Sequence, residues 1–171
     1  MKKRICGVIA QHFWELSPPL CQEAEDKAAR AALLKHLEAL TKTERVERFV
    51  VSIERGLPLD IISALKELQK TLNIELECVI PYEDQHIAWP EEVRERYFNL
   101  ISMCDKEYMV QHPFSLDCYQ KTLNYLLSCC DYFLIIWNGR SSDAGDAVQM
   151  VRRHGLPFLV LEPSLLQRPM H

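Results

Sequence analysis

Apolar positions along the chain fall into two alternating spacings. Short contiguous runs recur at Ile5 to Ala10, Phe49 to Ile53, Ile74 to Ile80, Glu107 to Gln111, Asp131 to Trp137 and Leu156 to Leu161. Their length and their β-branched and aromatic content predict strands. Between them lie stripes at helical spacing: Leu33, Leu37 and Leu40; Ile61, Leu65, Leu68 and Leu72; Val93, Tyr97 and Leu100 after Pro90; Tyr119, Leu123 and Leu126 after Ser115; and Ala144, Ala147, Val148 and Val151. Ser17-Pro18-Pro19 reads as a start signal for the first helix, a hydroxyl cap followed by prolines where a missing N–H costs least. Arg152, Arg153 and His154 suit the negative end of the last helix, and Gly155 suits a left-handed cap beyond it.

Strands alternating with helices through short connections predict an α/β fold, doubly wound, with a mostly parallel sheet of about five to six strands and helices on both faces. The run from Asp131 to Trp137 has no polar alternation, as a central strand covered on both faces requires. With 171 residues and no linker-like tract, the chain is expected to form one domain over residues 1–163. Such a domain buries roughly 70% of the surface its unfolded chain exposes. Residues 164–171 lack periodicity and read as a tail.

Charge and cysteine usage narrow the partners. A net charge of -4 and a pI near 5.9, with no Lys/Arg stripe beside aromatics, argue against nucleic acid and against an anionic membrane surface. The seven cysteines include no C-x-x-C pair and no zinc-type spacing, so no metal site is expected from them, and their odd number suits reduced thiols in a cytoplasm. The basic start Met1-Lys2-Lys3-Arg4 leads into too short an apolar run for a secretory signal, and no stretch approaches the ~20 apolar residues of a membrane span. Exposed helices leave a homodimer open.

In an open parallel sheet the loops after the strands share one edge, where ligands bind. Here that edge gathers residues 10–17, 54–60, 81–89, 112–115 and 138–145. In the last loop Asn138, Gly139, Ser141, Ser142 and Gly145 could hold a phosphate with amides and hydroxyls, or could form an ordinary turn capped by Ser142 or Asp143. Asp143 and Asp146 would oppose an anion there. After Gly56, Asp60 either stabilises the first turn of its helix or meets a ligand hydroxyl. Gln85 and Tyr82 could form a polar and aromatic rim, and Trp89 either stacks on a ring or plugs the helix beginning at Pro90. His12, His86 and His112 could converge on the same edge. Nothing resembles a G-x-S-x-G elbow or a nucleophilic cysteine.

The segment Ile80-Pro81-Tyr82-Glu83-Asp84-Gln85 with Trp89 resembles the Pro-aromatic-Glu-x-Gln-x-x-x-Trp signature of the SLOG superfamily, a Rossmann-like group, in its YpsA-like branch. The resemblance spans most of residues 4–162. It implies a nucleotide or nucleotide-derived ligand; some relatives cleave N-glycosidic bonds and others bind single-stranded DNA. Where the family has Thr-Gly-His-Arg, this chain has Ala10-Gln11-His12-Phe13. Where it has Gly-x-Ala-x-Gly-Val-Asp, this chain has Glu54-Arg55-Gly56-Leu57-Pro58-Leu59-Asp60. A Gly-Gly-Thr-like turn appears as Asp143-Ala144-Gly145, and the phosphoribohydrolase Pro-Gly-Gly-x-Gly-Thr-x-x-Glu motif is absent.

The resulting expectation is a cytoplasmic sensor or regulatory domain for a small nucleotide-derived ligand, with no catalytic residue and no cofactor assigned. In it His12 and Gln85 hydrogen-bond the ligand, Asp60 holds a hydroxyl and Trp89 packs on a ring. An N-glycosidic-bond hydrolase is the first alternative. The second is a ligand-free domain acting through protein contacts, its crevice filled by Gln11, Phe13 or Arg55.

Overall fold

The computed structural model describes residues 2–15 and 27–166. The start signal at Ser17-Pro18-Pro19 and residues 167–171 lie outside them. The elements follow in chain order as β1 (Arg4–Ala10), α1 (Lys27–Glu44), β2 (Val46–Ser52), α2 (Leu57–Leu68), β3 (Glu75–Ile80), α3 (Glu91–Met103), β4 (Lys106–Met109), α4 (Cys118–Cys129), β5 (Tyr132–Ile136), α5 (Asp143–Arg153) and β6 (Phe158–Leu161). Every expected strand and helix forms, apart from shifts at the ends; Leu72 lies beyond the last turn of α2 but still packs on the core.

The sheet has six strands in the order β4-β3-β2-β1-β5-β6, and every neighbouring pair is parallel. The chain builds outward from β1 to β4, then crosses back to lay β5 against the other side of β1. Connections therefore diverge between β1 and β5, the switch point at which such sheets open a crevice. All of β5 is buried, as its unbroken apolar run predicts, although β1 and β2 hold the middle and β5 lies one strand from the edge.

Alternation along β1 sends its side chains to two different layers. Cys6, Val8 and Ala10 join the core formed with α1, α2 and α3, whereas Ile5 and Ile9 pack on the layer of α4 and α5. Helices thus cover both faces of the sheet. Gly155 adopts φ 67°, the left-handed conformation anticipated for the end of α5. Residues 163–166, which include the start of the expected tail, form a 3₁₀ turn whose Leu166 is buried in the α1-side core. No helix among the described residues is long and apolar enough to cross a membrane.

Gly7 lies in β1 with no room for a side chain. A Cβ there would stand 2.7 Å from Cε1 of Phe133 and 3.2 Å from Sγ of Cys130, and Phe133 is itself fully buried. The ring cannot move without displacing the α4/α5 layer. Gly7→Val is expected to destabilise the domain by about 1–3 kcal/mol through overpacking, lowering the thermal midpoint by roughly 2–12 °C for a chain of this size. Thermal unfolding of the variant measures it, and an unchanged midpoint would show that the layer yields.

Candidate functional site

The C-terminal edge of the sheet is organised by His12, which follows β1. Its Nδ1 lies 2.8 Å from Oε1 of Glu54, which follows β2, and its Nε2 lies 2.7 Å from Oδ2 of Asp143, the first residue of α5. His12 and Glu54 are buried at 5% and 7% exposure, whereas the Asp143 side chain is 54% exposed. The indole of Trp14 stacks on the imidazole at 4.4 Å and 9°, and Tyr119 of α4 closes on it at 4.3 Å and 54°. Burial opposes charging the ring, but hydrogen bonds and charge from Glu54 and then Asp143 outweigh it and lift the His12 pKa from 6.5 to about 9. At neutral pH the ring is an imidazolium held between two carboxylates.

Two spaces flank this group. A small cavity of about 100 Å³ lies toward α4 and α5, lined by His12, Ser52, Glu54, Tyr119, Asp143 and Asp146 among others. A roomier cleft of about 270 Å³ is lined by Trp14, Glu54, Arg55, Tyr82, Gln85, Trp89 and Tyr119. Glu54 and Tyr119 line both spaces. Burial first, and then the negative charge of Glu54, push the Tyr119 hydroxyl well above its ordinary pKa, so it stays a neutral donor at physiological pH. One ligand atom from each of His12, Glu15 and Asp143 lies within 4.8 Å of the others, a set able to hold a cation.

The residues singled out in sequence separate into two groups. Trp89 lines the cleft and meets Tyr97 edge-on at 5.1 Å, so it serves both the α3 packing and the cleft wall. Gln85 also lines it, but its amide group donates to the Ile53 carbonyl at 2.9 Å and the Tyr97 hydroxyl at 3.0 Å. Only its carbonyl oxygen is left to offer a ligand. His12 is central, yet both ring nitrogens are engaged.

Asp60 points elsewhere. Its Oδ1 accepts from Arg96 of α3 at 2.7 Å, and it lines neither space. Gly56 precedes α2 with φ 94°, a backbone shape that favours glycine. The 138–145 loop satisfies itself: Asn138 Oδ1 accepts from the Arg140 amide, and the Ser142 hydroxyl accepts from the Gly145 amide as the cap of α5. Gly139 and Ser141 remain exposed or open around it. Gly145 lies under the Trp137 indole, where a Cβ would approach to 3.1 Å.

Glu54, Trp14, Glu15 and Tyr119 were missed as site residues. The signal for Glu54 is its place: it follows β2, the strand paired with β1, and so stands across from the histidine that follows β1. Gln11 supplies a further link, its Oε1 accepting from the Asn138 amide at 3.0 Å across the switch point. It is buried at 3% exposure and braces the loops; it does not fill the cleft.

Among protein families, residues 22–152 match the model described as the YspA SLOG family. No curated protein matches the chain.

The raised pKa of His12 has a defined consequence for stability. Because the folded value lies above the unfolded one, the contribution is fully present below about pH 6.5 and is lost as pH rises through about 9. Its size is at most about 3 kcal/mol, reduced by solvent screening on the exposed Asp143 side. Urea unfolding in chelator-treated buffer should find wild type well above His12→Gln at pH 6, with the gap narrowing by pH 10. A gap independent of pH would show that the His12 pKa is the same in the folded and unfolded chain.

Proposed function

Because the chain belongs to the YspA SLOG family, we propose that it binds a small nucleotide-derived ligand, with the ring of that ligand in the cleft between Trp14, Tyr82, Trp89 and Tyr119. The observation that carries this reading is the set of four aromatic side chains lining one cleft with a buried carboxylate, Glu54. Planar rings stack on such walls irrespective of base identity. Glu54 accepts from a base N–H or a ribose hydroxyl, the Tyr119 hydroxyl donates, and the Gln85 carbonyl accepts. The cleft, at about 270 Å³, lies just below the roughly 300 Å³ at which drug-sized sites begin. That volume suits a base with its sugar better than a complete dinucleotide.

The phosphate end is the part of the family reading that these residues support least. Ser142 occupies the Gly145 amide, Asp143 and Asp146 stand at the first turn of α5, and Pro58 has no N–H to offer near the start of α2. A sensor of a nucleoside-like moiety is therefore favoured over a phosphate clamp. Hydrolysis of an N-glycosidic bond is the second reading. It is favoured by one feature, the presence of Glu54 in the cleft wall with His12 as its hydrogen-bond partner, and its signature is release of free base from nucleoside monophosphates.

The test is thermal unfolding against adenosine, AMP, ADP-ribose, NAD and cyclic nucleotides. A ligand at 100 times its dissociation constant adds about 2.7 kcal/mol, raising the midpoint by roughly 5–10 °C. Trp14 is 67% exposed, so Trp14→Ala should leave the unliganded fold intact while weakening binding about tenfold or more through the lost stacking. Absence of any shift across the panel, or undiminished affinity in Trp14→Ala, would overturn the assignment and favour a domain acting through protein contacts.

A further inference from the structure

Three observations around His12 point beyond ligand binding in the aromatic cleft. The Glu15 amide donates to the His12 carbonyl at 3.0 Å, closing a 3₁₀ turn at residues 13–15. Side chains three apart in such a turn eclipse, so His12 and Glu15 project to one side, toward Asp143 at the head of α5. One ligand atom from each of the three lies within 4.8 Å of the others. The Oε2 of Glu15, in addition, is buried and has no hydrogen-bond partner among the described residues. A buried carboxylate oxygen without a donor is costly, and a cation removes the cost.

The third observation is Glu54. Its contact with His12 Nδ1 at 2.8 Å fixes the ring so that Nε2 faces Asp143. Histidines that ligate metals are oriented this way, by a carboxylate on the ring nitrogen that does not bind. Charge balance points the same way. Glu15, Glu54 and Asp143 together carry more negative charge than one imidazolium neutralises, and a divalent ion in place of the Nε2 proton reduces the excess.

We propose that His12, Glu15 and Asp143 bind one divalent transition cation, with Glu54 as the outer carboxylate that positions His12. One imidazole nitrogen and two carboxylates suit Mn²⁺, Fe²⁺ or Zn²⁺ better than Cu⁺, which prefers sulfur. Ligand distances of about 2.0–2.2 Å place neighbouring donor atoms about 3 Å or more apart, so the 2.7 Å contact between His12 and Asp143 opens slightly on binding. The exposed flank of Asp143 gives the ion a path from solvent.

Mn²⁺ is the probe of choice, because the cysteines compete for softer ions. The full-length protein, stripped with chelator and free of nucleotide, is titrated with Mn²⁺ while the resonance of the free ion is followed by EPR. The expected result is one Mn²⁺ per chain, with affinity lowered by at least about tenfold in Glu15→Gln and in Asp143→Asn, and by about 10–100-fold in Glu54→Gln. Glu83→Gln, whose native partner is His112, should bind as wild type does. Thermal midpoints of the stripped variants confirm that each is folded. No stoichiometric uptake, uptake unchanged by Glu15→Gln or Asp143→Asn, or an equal loss in Glu83→Gln would overturn the site. Since no nucleotide is present, this outcome is independent of the ligand panel.

Discussion

The imidazolium of His12, set between Glu54 and Asp143, is the constraint around which the functional edge is arranged. Hydrogen bonds between charged groups are worth about 1.5–3 kcal/mol each, but the larger consequence is what their loss leaves behind. Glu54 is 7% exposed, and stripping one partner from a buried ion pair typically costs about 3–5 kcal/mol, because the remaining charge is uncompensated. That penalty couples three loops far apart in sequence, those after β1 and β2 and the one opening α5. Trp14, stacked on the ring, and Tyr119, tilted against it, complete the arrangement. The same aromatic side chains then form part of the cleft wall, so ordering the ion pair and shaping the pocket are one event.

This arrangement changes what the fold's usual binding position can do. In doubly wound sheets the crevice opens where connections diverge, here between β1 and β5. His12 reaches across that point to Asp143, and Gln11 reaches across it to the Asn138 amide. Ser142 then uses the Gly145 amide for its own cap. The groups that would meet a phosphate are thus satisfied within the protein, and an acid stands where the anion would sit. Open volume remains to one side, over β1, β2 and β3, where Glu54 and Gln85 meet the aromatics.

Much of the architecture was legible in the chain because it follows from short-range periodicity. The unbroken apolar run of Asp131 to Trp137 fits a strand covered on both faces, and Gly155 after a basic last turn fits a helix end. Neither depends on where other residues go. The site was less legible for the opposite reason. Glu54 stood out in sequence only as an unexpected residue at a glycine position, and its meaning depends on β1 and β2 being neighbours. Asp60 looked like a ligand contact by its place before an apolar stripe, yet Arg96, 36 residues later, takes its carboxylate. The phosphate loop and the simple capped turn share the same serines and glycines, and hydrogen-bond geometry alone separates them. The His-x-x-Glu spacing at residues 12–15 carries information only once those residues form a 3₁₀ turn.

Charge at this edge constrains any ligand further. Glu54 and Asp143 share one imidazolium, Asp146 lines the small cavity beside them, and Asp60 is spent on Arg96. A phosphate approaching from the α5 side would meet more repulsion than the helix end can offset, since a helix terminus contributes only about 0.3–1 kcal/mol at exposed sites. A neutral or cationic ring entering from the side of Trp14 and Trp89 meets π faces and a carboxylate acceptor instead. Substituting acids for glycines in a nucleotide-binding framework therefore need not abolish recognition. On the proposed reading it would transfer recognition from the phosphate to the base and sugar, leaving a carboxylate-rich edge whose charge favours a cation, as part of the ligand or as a bound metal ion.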